Sequence, residues 1–195
     1  MGRSLDDYAK KRDFDGTPEP TDDRHPDWAG DEPIFVIQKH DASTLHYDVR
    51  LEIDGVLVSW SVPKGPSTDP RVKRLAVPTE PHPLAYADFE GTIPEGSYGA
   101  GTVLVWDRGS YRKAKQDDAQ SVAEQYDEGH LTVWLDGEKL TGSYAFVRTG
   151  GGDDARWLMV KMDDDAADAR RDPTSTEPDS VKTGRSMQEV ADESV

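Results

Sequence analysis

The chain of 195 residues contains no cysteine. Disulfides, cysteine-ligated zinc, iron–sulfur clusters and thiol nucleophiles are therefore excluded. That absence is compatible with a reducing compartment. No apolar run approaches the roughly 20 residues needed to span a bilayer, and the opening MGRSLDDYAKKRDFDG has no apolar stretch of the kind a secretory signal requires. The expectation is a soluble, cytoplasmic monomer of one domain, or one domain with tails. Basic residues are also scarce: 23 Lys and Arg stand against 39 Asp and Glu, for a formal net charge of −16. Glutamate contributes only 12 of the acids and aspartate 27. Over the whole chain this balance argues against a nucleic-acid partner, which usually leaves a basic footprint.

The charge is unevenly spread. The stretch Ile34 to Arg112 holds 8 basic and 10 acidic residues, so it is near neutral, while the rest holds 15 and 29. The acidic excess reads as a solvated surface. A sharper version is an Asp-rich surface adapted to high salt, which predicts unfolding below about 1 M salt.

Ser4 with Asp7 three residues on resembles a capping box for a short helix to about Arg12. Residues 15–33 are rich in Pro, Asp and Gly and read as irregular lead-in. From Ile34 the pattern changes to short β-type runs: IFVIQKH, LHYDVRLEI, VLVSWSV, RLAVP, GTVLVWD, HLTVWLD, GSYAFVR and RWLMVKM. Asp54-Gly55 between the second and third is a two-residue hairpin signal. Gln116 to Tyr126 is the plausible internal helix, and the five Trp are expected mostly in the core. Residues 163–183 are poor in aromatics and rich in Asp, Pro and Thr, which predicts a disordered linker. Ser186 with Glu189 offers a capping box for a last helix. The expectation is therefore mainly β: a compact antiparallel β-barrel over 34–162, a lead-in over 1–33, and an acidic, flexible tail over 163–195.

The second run carries the most chemistry. Side chains alternate faces along a strand. Leu45, Tyr47, Val49, Leu51 and Ile53 would form an apolar face, with His46, Asp48, Arg50 and Glu52 on the other. A solvated outer face is the ordinary reading of such alternation. Here His40 ends the preceding run, so a chain folding back between them would bring two histidines and a carboxylate together. A His2Asp set without sulfur suits a borderline or hard divalent ion such as Mn, Fe or Zn and leaves positions open for substrate. Arg50 beside it would offer a planar two-pronged donor to phosphate or carboxylate. His46-x-Asp48 with a distal histidine, His82 or His130, also fits the facial triad of iron oxygenases, with Arg148 as a loose anchor for a 2-oxo acid. Lys64, Arg71, Lys73 and Arg74 form a local basic cluster, either an ordinary polar loop or a phosphate contact. His82 is stiffened between Pro81 and Pro83, and Tyr86 follows. The glycine-rich GTIPEGSYGAG lacks the Gly-Lys-Ser/Thr of a P-loop, and no Gly-x-Ser-x-Gly elbow occurs.

Two long segments, FVIQKHDASTLHYDVRLEIDGVLVSWSVPKGPS and RLAVPTEPHPLAYADFEGTIPEGSYGAGTV, together with LDDYAKKRDFDGTPEP near the start, resemble the 3′-phosphoesterase domain of bacterial DNA ligase D and its free-standing relatives. The likeness covers most of residues 4–162 and rests on many motifs in order. It implies a manganese-dependent β-barrel hydrolase of non-homologous end joining. Such enzymes remove a terminal ribonucleoside from a primer strand, leaving a 3′-phosphate, and then remove that phosphate to leave a 3′-hydroxyl. By resemblance, His40, His46 and Asp48 match the metal ligands. Arg50 and His82 match the residues around the reacting phosphate, and Tyr86 a further active-site residue. Ser59, Lys64, Arg74, Glu80 and Glu52 match other positions important in the family. The resemblance leaves open whether His82 acts as general acid or charge stabiliser. An inactive end-binding module of the same fold and an iron oxygenase are the alternatives. The tail DSVKTGRSMQEVA resembles the segment that precedes the ligase portion in multidomain relatives, so separate ligase, polymerase or end-binding proteins are the expected partners.

Overall fold

A computed structural model describes residues 3–152 and 155–193. The eight expected strand runs all form. They are β1 (Ile34–Asp41), β2 (Leu45–Ile53), β3 (Val56–Val62), β4 (Lys73–His82), β6 (Gly101–Lys113), β7 (His130–Gly137), β8 (Thr141–Thr149) and β9 (Arg156–Lys161). A ninth short strand, β5 (Gly91–Ile93), was not apparent from the pattern, because three residues show no periodicity. The neighbours run β1-β2-β3-β4-β9-β8-β7-β6, and β6 pairs back onto β1, which closes an eight-stranded antiparallel barrel. β5 adds to the start of the long β6. The Asp54-Gly55 turn has φ of 52° and 78° at its two residues, the left-handed pair that a two-residue hairpin between Ile53 and Val56 requires. Among the described residues, no helix is long and apolar enough to cross a membrane.

The inward side chains form one core, with Phe35, Val49, Leu51, Trp60, Trp106, Tyr144, Phe146 and Trp157 among its members. Helix α2 (Val122–Glu128) packs against this core, and Tyr126 stacks on Trp157 with centroids 5.3 Å apart. This helix begins later than composition suggested. Ser121 accepts from the Glu124 N–H while the Glu124 carboxylate accepts from the Ser121 N–H, a complete capping box that fixes the start. Helix α1 (Asp6–Lys10) also departs from expectation. Ser4 accepts from the Asp6 N–H and no capping box forms with Asp7.

The ordinary reading of β2, a solvated outer face, does not hold. A second apolar cluster covers the outside of β1, β2, β3 and β6. It comprises Tyr8 from α1, Leu84 and Tyr86 from the 3-10 helix Leu84–Asp88, Phe89, Ile93, and the outward residues Ile34, Val36, Leu57, Val103 and Val105. Burying each large apolar side chain contributes about 1.5–3 kcal/mol, enough to offset part of the cost of burying the polar side chains beneath. Asp48 and Arg50 are buried in consequence.

Residues 163–183, expected to be disordered, instead run along the barrel. Thr68 Oγ1 donates to the Asp168 and Arg171 carbonyls, and Trp106 Nε1 to the Glu177 carbonyl. Lys139 Nζ donates to the carbonyls of Glu177 and Asp179. A short helix α3 (Pro173–Thr176) follows Asp172, and Ser180 donates to Glu90. Helix α4 (Met187–Glu193) starts at the expected Ser186–Glu189 box and buries Val190 in the core. Composition did not signal these contacts because most use main-chain carbonyls, which every residue carries.

Candidate metal and phosphate site

Strand register builds the site. His40 lies directly opposite His46 across β1 and β2, and Gln38 lies opposite Asp48. Arg50 and Asp48 face Ser59 and Ser61 on β3. The ligand atoms of His40, His46 and Asp48 all lie within 4.8 Å of one another. His40 Nδ1 and His46 Nε2 are each 3.5 Å from an Asp48 oxygen. His46 donates its Nδ1–H to the Thr44 carbonyl at 2.9 Å, which turns Nε2 toward the site, as metal-bound imidazoles usually require. His40 Nε2 is buried and has no hydrogen-bond partner. Two imidazoles, one carboxylate, an orphaned buried nitrogen and no sulfur fit a divalent transition ion. Burial opposes ionisation of Asp48, but the Arg50 guanidinium and both imidazoles outweigh it and hold the carboxyl well below the usual range. Burial would lower the His46 pKa, and the Asp48 carboxylate reverses that and raises it.

Arg50 is locked from several sides. Its Nε donates to Gln38 at 2.7 Å, Nη1 to Ser59 at 2.9 Å and Nη2 to Asp48 at 3.3 Å. Its guanidinium sits 4.8 Å from the Tyr86 ring centre. Gln38 is held in turn by the carbonyls of Tyr86 and Phe89. Ser59 therefore positions Arg50 from behind; it does not line the pocket. Tyr86 keeps its proton, since burial raises its pKa well above the ordinary value, and it donates to Glu19.

His82 Nδ1 lies 2.8 Å from the Glu80 carbonyl and 3.1 Å from Arg50 Nη1. The shorter contact is to a carbonyl, which only accepts, and Arg12 beside Nε2 only donates; these two outweigh the Arg50 contact and put the hydrogen on Nδ1, leaving Nε2 bare. Arg12 Nη2 then donates to Nε2 at 3.2 Å. Burial, followed by the charges of Arg50 and Arg12, pushes the His82 pKa well below the ordinary imidazole value, so the ring is neutral. Arg12 was not singled out in the sequence, yet it lines the pocket. It bonds Glu19 and Glu80, and its guanidinium lies 3.9 Å from the Tyr8 ring centre. No local signal marks it, because its partner Glu80 stands 68 residues away.

The His40–His46–Asp48 cluster, Arg12, Arg50, His82 and Tyr86 line one cleft of about 270 Å³. Glu80 stands on its wall, paired with Lys11 and Arg12. Three expected residues stand apart. Glu52 lies at the other end of β2, accepting from the Ile34 N–H and pairing with His25. Lys64 follows β3 by two residues, three beyond Ser61 and outside the cleft. Arg74 lies on β4 across from Met159 and near Asp172 of the tail. Of the rest of the basic cluster, Arg71 is forked onto Asp69. Of the oxygenase pattern, the candidate distal histidine His82 lines the cleft, whereas His130 is exposed on β7 and Arg148 bonds the carbonyls of Asp127 and Glu128.

Residues 38–148 match the protein family described as DNA Ligase D 3′-phosphoesterase domain. A Pseudomonas aeruginosa protein named multifunctional non-homologous end joining protein LigD is 50% identical over 188 residues, covering 95% of this chain and 22% of that protein. The multifunctional non-homologous end joining DNA repair protein LigD of Mycobacterium tuberculosis is 47% identical over 155 residues, 80% of this chain and 19% of that protein. The multifunctional non-homologous end joining protein LigD of Mycolicibacterium smegmatis is 45% identical over 158 residues, 80% of this chain and 20% of that protein. The chain thus spans about a fifth of the length of these relatives.

Proposed function

Because the chain belongs to the DNA ligase D 3′-phosphoesterase domain family, we propose that it is a metal-dependent hydrolase that heals DNA 3′ ends in non-homologous end joining. Its substrate is a primer–template whose 3′ end carries a ribonucleotide or a phosphate. It removes the terminal ribonucleoside, then the 3′-phosphate, and leaves a 3′-hydroxyl fit for ligation or extension. The observation that carries the reading is the opening of the His40–His46–Asp48 cluster onto the same cleft as Arg50, Arg12 and His82. Manganese is the proposed ion, with other divalent transition ions as substitutes, and the working unit is a monomer.

An ion held by His40, His46 and Asp48 would supply Lewis-acid polarisation of a phosphate oxygen and a more acidic bound water. The chain's own groups do the rest. Arg50 enters with its rotamer already fixed by Gln38, Ser59 and Asp48, so it meets developing phosphoryl charge without reorganising. Arg12 brings a second guanidinium from the lead-in, braced by Glu19 and Glu80. His82 is neutral, with its Nδ1–H committed to Glu80 and Nε2 facing Arg12, which favours a role in positioning and charge stabilisation over proton donation from the free enzyme. Tyr86 remains a phenol and supports Arg50 through its ring. Lys64 and Arg74, outside the cleft, are proposed to contact phosphates further along the strand, and Glu52 to anchor the lead-in.

The test is a primer–template with one 3′-terminal ribonucleotide, incubated with and without manganese. Shortening to a 3′-phosphate and then a 3′-hydroxyl, abolished by His46→Ala, is expected. Retained DNA binding with no product under any divalent ion would instead favour an inert end-binding module. Iron-dependent oxygen uptake with no action on the primer would favour an oxygenase.

A further inference from the structure

The described residues include four exposed large apolar side chains, Leu45, Leu75, Tyr98 and Met162, and of these Tyr98 alone lines the cleft. It is 47% exposed, although Ile93 and Tyr86 in the same cleft are buried. Its hydroxyl is tied: it donates to Glu80 Oε2 and accepts from Lys11 Nζ, both at 3.3 Å. Lys11 Nζ also stands 4.7 Å from the ring centre. The Arg12 guanidinium also lies 5.4 Å from the ring centre, so the exposed area belongs to the ring surface that the hydroxyl's partners and these two cations leave open.

The backbone makes this placement deliberate. Tyr98 sits in the turn between β5 and β6, where Gly96 and Gly99 have φ of 84° and 75°. Gly101 has φ of 137°, and a Cβ there would lie 2.3 Å from the Asp41 carbonyl. The turn is thus pressed onto the β1–β2 connection beside His40 and His46, and carries its aromatic ring to the rim of the site.

We propose that Tyr98 is a stacking platform for the base of the terminal nucleoside that the enzyme removes. The inference rests on the 3′-end-healing reading and names the subsite on its leaving-group side. A nucleoside esterified to a phosphate at Arg50 and the triad has its base at the rim of the cleft. Every base has a π-face, so a ring at that place binds the nucleoside without reading its identity. The Lys11 ammonium against the ring adds a cation–π contact to the same stack. A 3′-phosphate end has no such base, so the platform serves one of the two proposed substrates and not the other.

The test measures binding of fluorescent primer–templates by anisotropy without metal, then trimming with manganese. The primers end either in a ribonucleotide, with each of the four bases, or in a 3′-phosphate. Tyr98→Ala is expected to narrow the affinity ratio between the two ends by roughly five- to 150-fold, similarly for all four bases. Tyr98→Phe and Tyr98→Trp keep the ring, and both are expected to keep the ratio. A ratio unmoved by Tyr98→Ala overturns the platform, as does Tyr98→Phe behaving like Tyr98→Ala, which would assign the effect to the hydroxyl and Glu80. Wild-type protein that trims neither end defeats the end-healing reading and the platform with it. Wild-type protein that trims both ends while the ratio stays fixed defeats the platform alone.

Discussion

A neutral His82 leaves a thermodynamic trace. Its two ring nitrogens are fully engaged as a neutral imidazole, and burial with two guanidiniums holds its pKa well below the ordinary value of about 6.5. The unfolded chain takes up that proton as pH falls below 6.5, and the folded protein does not. Proton uptake by the unfolded state alone makes stability fall as pH falls, by about 1.4 kcal/mol per pH unit once well below 6.5. From neutral pH down to pH 5 the loss from this one group is at most about 2 kcal/mol, the limit reached when the folded ring takes up no proton over that interval. His82→Asn removes the titration, so its stability should change less over that interval. The measurement is urea denaturation of both proteins at several pH values between 5 and 7.5. Comparison with the variant cancels the carboxylates, Asp107 included, whose pKa burial raises to about 6. A difference in unfolding free energy that stays constant with pH would show that His82 charges in the folded state, and would restore general acid as its role in the free enzyme.

Asp48→Asn keeps the shape of the metal cluster and removes its anionic ligand. Manganese should raise the thermal midpoint of the wild type, by about 2.7 kcal/mol of stabilisation at 100-fold excess over Kd, and leave the variant's midpoint unmoved. Gly101→Ala forces a Cβ onto the Asp41 carbonyl at an unfavourable φ, so a loss of about 1–3 kcal/mol is expected by denaturant unfolding. Stability equal to wild type would mean that the turn carrying Tyr98 is not held against the β1–β2 connection. Binding of a primer–template should depend only shallowly on salt, with a log–log slope corresponding to about 0.9 per phosphate contacted. A slope as steep as that of a groove-tracking protein would contradict a site confined to the strand end.

The barrel strands were legible because their apolar alternation and their punctuating turns are local properties. The meeting of His40, His46 and Asp48 was legible for the same reason: His46 and Asp48 share a face of β2, and the hairpin brings His40 alongside. What escaped came from long-range packing. Arg12 and Glu19 belong to a lead-in that reads as irregular chain, and their value lies in contacts to Glu80 and Tyr86 on other elements. Glu52 shares the β2 face with Asp48, but position along the strand separates them by about 13 Å at the usual rise. Shared face is a weaker criterion than shared end. The acidic total of the chain does not describe the site, where the cleft and the groups that brace it set Lys11, Arg12 and Arg50 against Glu19, Asp48 and Glu80.

Closure of the barrel has a consequence for the ions the cluster can accept. β1 and β2, which carry all three ligands, are each hydrogen-bonded to a neighbour along both edges. Neither can peel away alone, so amide exchange at His40 and Asp48 should occur only through events that open the whole barrel. The ligands cannot be released or re-spaced one at a time. An ion that needs a wider or narrower cage meets a fixed template, and selection among metals falls to the rigidity of the sheet as much as to the chemistry of the donors.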